Sequence, residues 1–121
     1  MYGQRSGLDR ETALRVSGTF GAGMARTGET CGSVTGALMV IGLMYGKTRK
    51  DDDDSRERAY ALAQELMDAF RERNGTLLCR ELLGIDVSTP EGIARVREKD
   101  LFRTVCPKFV KDAGELLEGL L

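Results

Sequence analysis

The stretch that most restricts the fold is residues 32–45, GSVTGALMVIGLMY, where apolar side chains would occupy almost every face of a helix. A helix that is apolar all round must be enclosed by other elements, because water would otherwise meet its apolar surface. The segment is too short to span a bilayer, which takes about 20 apolar residues. We therefore predict a central helix around which the rest of the chain packs.

Apolar residues elsewhere also recur with helical spacing, and no convincing alternating pattern of a strand is present. Residues that commonly cap or stop helices, such as Asp9, Thr89 and the pair Asn74-Gly75, bound the predicted helices. The 121 residues predict one all-α domain, a compact bundle of about five or six helices around residues 32–45. The other helices are predicted over about residues 10–17, 54–73 and 77–83, from Pro90 and from about Cys106.

The charges of the chain are nearly balanced, with a net charge of −1 at pH 7. This balance provides no basic patch for nucleic acid or an acidic membrane surface, so neither partner is expected. No stretch is long enough to insert into a membrane, and the first residues lack the apolar core of a secretory signal. We therefore expect a cytoplasmic protein, in which thiols stay reduced unless they take part in redox chemistry.

The chain has three cysteines and no histidine, which excludes a cysteine–histidine nucleophile within it. Cys31, Cys79 and Cys106 each fall near the predicted start of a helix. Unpaired N–H groups at a helix start favour a thiolate and can lower the pKa of a cysteine. Arg80 directly follows Cys79, and Lys108 lies two residues after Cys106. Their positive charges are expected to add to this effect. Free cysteines are also common as small buried residues, so spacing alone leaves packing and chemistry as equal alternatives.

A glycine-rich loop, GTFGAGMARTGETCG, precedes the central helix. It lacks the ending of a phosphate-binding loop, and we interpret its glycines, including Gly23, as a tight turn that brings the backbone close to Cys31. Gly32 and Gly36 would each weaken the central helix by about 1 kcal/mol relative to alanine, so we expect another backbone to approach them closely. The acidic run 51–54 lacks the spacing of a calcium loop and is interpreted as a solvated helix start.

The sequence CGSVTG at residues 31–36 resembles the Cys-Gly-Ala-x-x-Gly motif of the C_GCAxxG_C_C family, small proteins with four hallmark cysteines to which a redox role is ascribed. The block 20–46, the segment NGTLLCRELLG around Cys79 and the segment CPKFVKDAGELLEGLL starting at Cys106 are also similar, so the resemblance covers nearly the whole chain. Ser33 replaces the motif alanine, a small-for-small change that we expect to be tolerated. The family's first cysteine has no counterpart here. Either the domain is truncated at its N-terminus, as we expect, or the protein has lost that cysteine.

This resemblance implies a thiol-based or metal-bound redox role. It implies Cys31, Cys79 and Cys106 as redox thiols, or as ligands if an iron–sulfur cluster or another thiolate-bound metal is present. Gly32 and Gly36 would let the cysteines converge. Clusters usually take four thiolates, whereas this chain supplies three. The absence of the first cysteine and most of its helix would expose a groove that another chain could fill, so a homodimer is expected.

Three functions remain open from the sequence. The leading hypothesis is a thiol redox protein in which Cys79 and Cys106 are the reacting partners, because Cys31 is the cysteine most embedded in the apolar helix. The second is an iron–sulfur or other metal–thiolate module for electron transfer. The third is a helical interaction domain whose cysteines only pack. The sequence names neither a substrate nor a redox partner protein, so no enzymatic activity is assigned.

Overall fold

The computed structural model of the chain describes residues 8–46 and 48–121. These residues form five helices of seven residues or more and two short helical turns, without a strand, which confirms the predicted all-α bundle. None of the described helices is both long and apolar enough to cross a membrane. In chain order the helical segments are α1 (Arg10–Val16), α2 (Gly32–Tyr45), α3 (Asp53–Asn74), α4 (Cys79–Leu83), α5 (Pro90–Glu98), α6 (Leu101–Thr104) and α7 (Cys106–Leu120).

Several helix ends depend on the capping residues that the sequence predicted. The Asp9 carboxylate accepts a hydrogen bond of 2.7 Å from the Thr12 amide at the start of α1. The Thr89 hydroxyl accepts one of 3.0 Å from the Gly92 amide at the start of α5. Gly75 ends α3 with a φ of 84°, in the left-handed region that favours glycine. Local side-chain and backbone chemistry therefore determines where these helices begin and end.

The main core lies between α2, α3 and α7, which pack against one another. The rings of Phe70 on α3 and Phe109 on α7 have centroids 6.3 Å apart, and Val34 and Ile41 of α2 are buried beside them. The far end of α2 is more open, since Leu43 is 44% exposed. The buried residues of this main core are Cys31, Val34, Ala37, Ile41, Ala59, Leu66, Phe70, Leu77, Phe109, Ala113 and Leu117.

A second, smaller cluster consists of the buried residues Cys79, Val87 and Val96, and we call it the minor core. It joins the start of α4 to α5, and α6 packs against both α5 and α7. Cys31 belongs to the main core, whereas Cys79 belongs to the minor core. The boundary between the two hydrophobic clusters therefore runs between two of the three cysteines.

Candidate thiol site

The three cysteines lie at three helix starts, as the sequence predicted. Cys31 is the N-cap residue of α2, and Cys79 and Cys106 are the first residues of α4 and α7. No side chain caps any of these three helix starts. Only Cys31 therefore occupies the N-cap position, where a hydroxyl or carboxylate would ordinarily bind the free backbone N–H groups; Leu78 and Val105 are the N-cap residues before Cys79 and Cys106.

The loop before α2 contains a left-handed turn, which we define as residues 22–26. Five consecutive residues have a φ between 52° and 70°, and four of them are not glycine. A left-handed conformation costs an ordinary residue about 1–2 kcal/mol, so the surrounding structure must compensate for it. The Gly23 carbonyl accepts hydrogen bonds from the Glu29 amide at 2.9 Å and from the Thr27 hydroxyl at 2.7 Å. These bonds close the turn on itself.

Gly23 is the point at which the left-handed turn meets the cysteines. A Cβ atom at this position would lie 2.7 Å from the Cβ of Cys79 and 2.6 Å from the amide nitrogen of Glu29. Real Cβ atoms do not approach other heavy atoms so closely, so no side chain fits here without a shift of the backbone. The predicted tight turn is present, but its closest thiol neighbour is Cys79, whereas we expected Cys31.

Backbone hydrogen bonds hold Cys31 and Cys79 beside each other. The Cys31 amide donates to the Leu77 carbonyl at 2.8 Å, and the Cys79 amide donates to the Glu29 carbonyl at 2.7 Å. These two hydrogen bonds flank an isolated antiparallel bridge between Thr30 and Leu78. A short ladder of this kind aligns two segments that are distant in sequence, which apolar spacing alone did not predict.

All three cysteines line one cleft of about 270 Å³, which we call the thiol cleft. Cys31 is 9% exposed and Cys79 is 6% exposed, whereas Cys106 is only half-buried. Burial therefore does not separate Cys31 from Cys79, and the reason we gave for setting Cys31 aside is wrong. Cys106 is the thiol with the easiest access from solvent. The other residues lining the thiol cleft are Ala22, Gly23, Gly32, Ser33, Phe102 and Val110.

The electrostatics of the thiol cleft oppose the expected thiolates. Burial, together with smaller contributions from repulsion by Cys31 and Cys106, raises the pKa of Cys79 to about 11. Burial also raises the pKa of Cys106, with a smaller contribution from Cys31. The expectation that helix starts lower the pKa of these cysteines is therefore wrong for both. Loss of hydration outweighs the field of the helix start, and α4 has only five residues to generate such a field.

The two basic residues next to the cysteines in sequence are engaged elsewhere. The Arg80 guanidinium lies 3.5 Å from the carboxylate of Glu29. The Lys108 ammonium donates to the side chains of Asn74 at 2.6 Å and Asp112 at 3.0 Å. Each cation is paired with a carboxylate outside the thiol cleft, which explains why neither offsets the cost of burying a thiolate. Adjacency in sequence was a poor guide to these contacts.

The glycines of the CGSVTG motif differ in their surroundings. A Cβ on Gly32 would lie 3.3 Å from the Phe20 carbonyl oxygen, so a backbone does approach this residue closely. A Cβ on Gly36 would meet no atom within 4 Å among the described residues, so the expected close approach is wrong there. Gly36 instead faces a groove between α2 and α7 that Val110 also lines. Ser33 lines both this groove and the thiol cleft.

Sequence reasoning missed two apolar residues of the thiol cleft, Phe102 and Val110. Phe102 lies on α6, a single turn that was not predicted, and is 39% exposed. Val110 lies on α7 and is 61% exposed. A large apolar residue among charged neighbours, as in the segment EKDLFRT, was the one available signal for Phe102.

A metal bound by thiolates needs ligands that converge on one point. Among residues 8–46 and 48–121, no group of three or more histidine, cysteine, aspartate or glutamate side chains is placed to hold a metal ion. Cys31, Cys79 and Cys106 line one cleft without forming such a group. Their arrangement therefore does not fit the iron–sulfur cluster, or other thiolate-bound metal, that the resemblance implied.

Comparison with protein-family models matches residues 1–120 to the family described as "Putative redox-active protein (C_GCAxxG_C_C)". No curated protein and no solved structure matches the chain. The match spans the left-handed turn, the thiol cleft and all of the described helices. The redox character ascribed to the family agrees with a structure in which every cysteine lines one cleft. The chain therefore belongs to the C_GCAxxG_C_C family.

Proposed function

We propose that the protein carries out thiol–disulfide exchange, with Cys106 as the attacking thiol and Cys79 as the resolving thiol. The observation that supports this proposal most directly is the thiol cleft, which all three cysteines line. Exchange needs one thiol that a substrate can reach and a second thiol close to it. Cys106 is half-buried and therefore suits the first role. Cys79 and Cys31 are both buried and both line the cleft, so the choice of Cys79 as the resolving thiol is part of the proposal, and mapping of the oxidised protein distinguishes the two.

The proposed reaction reduces a partner disulfide by two electrons. The Cys106 thiolate attacks one sulfur of the partner, whose S–S bond breaks, and the departing thiolate takes the bonding electron pair. The Cys79 thiolate then attacks the Cys106 sulfur of the mixed disulfide and releases the second partner thiolate. The protein is left with a Cys79–Cys106 disulfide, and an external dithiol, the expected redox partner protein, restores both thiols by the same exchange.

The raised pKa values favour action as a reductant. A thiolate with a high pKa is a strong nucleophile but a poor leaving group. Since Cys79 titrates at about 11, a disulfide that includes its sulfur is reduced reluctantly once it has formed. At equilibrium the reduced protein is therefore a strong electron donor. The rate of exchange is a separate matter, because the small thiolate fraction at neutral pH makes the exchange slow there and faster as the pH rises.

Mild oxidation followed by alkylation and mass mapping tests the pairing. We expect the intact protein to lose two hydrogen atoms and to keep one alkylatable thiol, Cys31. Changing Cys106 to serine should abolish mixed-disulfide formation, and changing Cys79 to alanine should trap the mixed disulfide on Cys106. The matched control is Cys31→Ala, which should leave the bond intact. Three free thiols after oxidant treatment, or a bond that includes Cys31, would contradict the proposal.

The cytoplasmic location and the homodimer stay predictions. The groove between α2 and α7, which Val110 lines, is the place where the expected second chain would sit. Light scattering of the purified protein at several concentrations measures the mass in solution. A monomer at every concentration would reject the dimer without affecting the proposed thiol chemistry.

A further inference from the structure

A larger cleft adjoins the thiol cleft and supplies a second observation about the same site. Its volume is about 540 Å³, and Ala22 and Phe102 line both clefts. Phe102 is 39% exposed and forms part of the wall that the two clefts share. A small molecule in the larger cleft therefore lies next to the cysteines.

Two arginines line this larger cleft, Arg26 in the left-handed turn and Arg97 on α5. Within the described part of the chain, neither guanidinium has a hydrogen bond or ion pair, and no acidic side chain lines either cleft. Arg73, Arg80 and Arg103, by contrast, each pair with a carboxylate. Because the whole chain has a net charge of −1, the positive charge of this cleft is a local property.

We infer that the larger cleft binds the carboxylate groups of a small disulfide or thiol and presents its sulfur to Cys106. This inference rests on the thiol–disulfide exchange proposed above and names the substrate class for it. Arginine suits the role because its planar guanidinium can donate two parallel hydrogen bonds to a carboxylate. The left-handed turn then contributes to both clefts. Gly23 lies against Cys79, and Arg26 lines the larger cleft, where it would bind the anion.

The chemical step is the same exchange with a charged partner. The Cys106 thiolate attacks one sulfur of the bound disulfide, and the departing carboxylate-bearing thiolate leaves with the electron pair of the broken S–S bond. A thiolate and an anionic disulfide repel each other as they approach. Arg26 and Arg97 offset this repulsion and raise the local concentration of the anionic partner, and dissolved salt screens both effects.

Three disulfides of different charge test the inference. Oxidised glutathione is anionic, 2-hydroxyethyl disulfide is neutral and cystamine is cationic. The rate of mixed-disulfide formation is measured by mass spectrometry with the Cys79→Ala variant, and thiol release is measured with the unmodified protein in case that variant folds poorly. At about 1 M salt, where the Debye length is about 3 Å, the anionic disulfide should lose most of its advantage.

The three disulfides differ in size as well as in charge. Substitution of the arginines changes the charge of the cleft while the disulfide stays the same. Arg26→Gln and Arg97→Gln should each lower the rate with oxidised glutathione about threefold, and the double variant about tenfold. The neutral disulfide should change by less than about twofold, and the rate with cystamine should rise. Arg95→Gln is the matched control, because Arg95 is exposed on α5 and lines neither cleft.

The outcomes separate this inference from the proposed function. Equal losses for all three disulfides, or unchanged rates with oxidised glutathione, overturn the inference while the exchange chemistry stands. If the neutral disulfide gives no mixed disulfide at all, the proposed function fails.

A separate experiment measures binding alone. It is calorimetry with S-methylglutathione, which cannot exchange. A weaker affinity in the Arg26→Gln and Arg97→Gln variants supports the anion site, and equal affinities reject it.

Discussion

In the main core the side chains determine the structure, whereas in the left-handed turn the backbone does. Phe70 has a regular helical backbone and a fully buried ring. Met24 and Arg26 have exposed side chains and strained backbone angles, and hydrogen bonds through the carbonyls of their neighbours close the turn. Removing a side chain should therefore damage the core, and adding one should damage the turn at Gly23.

The largest effect is expected in the main core. Changing Phe70 to alanine removes a ring that packs against Phe109 and should lower the free energy of unfolding by about 4 kcal/mol. Chemical denaturation followed by circular dichroism measures this loss. The control is Tyr60→Ala on the same helix, where a side chain 58% exposed should cost less than about 0.5 kcal/mol. Similar losses in both variants would contradict the placement of the core.

The left-handed turn should respond to an added methyl group. Gly23→Ala should cost about 3 kcal/mol, because the left-handed backbone disfavours alanine and the new Cβ would overlap Cys79. Gly75→Ala is the matched control, since it has a φ of 84° but nothing within 4 Å among the described residues, and it should cost about 1 kcal/mol. Equal losses in the free energy of unfolding of the two variants would show that an overlap with Cys79 does not add to the cost at Gly23.

The minor core should be sensitive to alkaline pH through Cys79. Its pKa is raised in the folded state, so the folded protein holds this proton more tightly than the unfolded chain does. The resulting stability is fully present below pH about 9 and is lost as the pH rises towards about 11, by about 2 kcal/mol. Denaturation across this range tests the loss, and the Cys79→Ala variant should show a flatter profile. A decline of the same size in that variant would assign it to other groups.

The smallest expected effect has the opposite sign. Gly36→Ala should raise the free energy of unfolding by up to about 1 kcal/mol, because alanine favours a helix and nothing in the described chain lies within 4 Å of the new Cβ. Gly32→Ala should lose that gain to the Phe20 carbonyl, 3.3 Å from its Cβ. Thermal unfolding of the two variants compares them. Destabilisation by Gly36→Ala would indicate that the groove beside α2 is filled in solution.

Much of the helical core followed from the sequence. Ala59, Leu66 and Phe70 recur on one face of α3, and this spacing predicted both the helix and its buried side. The pair Asn74-Gly75 predicted its end because glycine readily adopts the left-handed angle found there. These features depend on local propensities and on apolar periodicity, both of which a single sequence displays.

The thiol site followed from the sequence only in part. Its three cysteines were identifiable, but the left-handed turn was not, because alanine, methionine and arginine each disfavour a positive φ when considered alone. The charge state of Cys79 and the partners of Arg80 and Lys108 depend on contacts between distant segments. Such contacts exist only after the main and minor cores have packed, so neighbours in sequence did not reveal them.

The boundary between the two cores has a consequence for how the protein unfolds. Among the described residues, the minor core has three buried residues and five partly buried hydrophobic ones packed against them, fewer than the main core has. We therefore expect it to open at a lower free energy than the main core. A Cys79–Cys106 cross-link would tie it to the first residue of α7 and add about 3 kcal/mol of stability. Oxidation would then make the two clusters open as one cooperative unit, and resistance to a protease would report the redox state of the molecule.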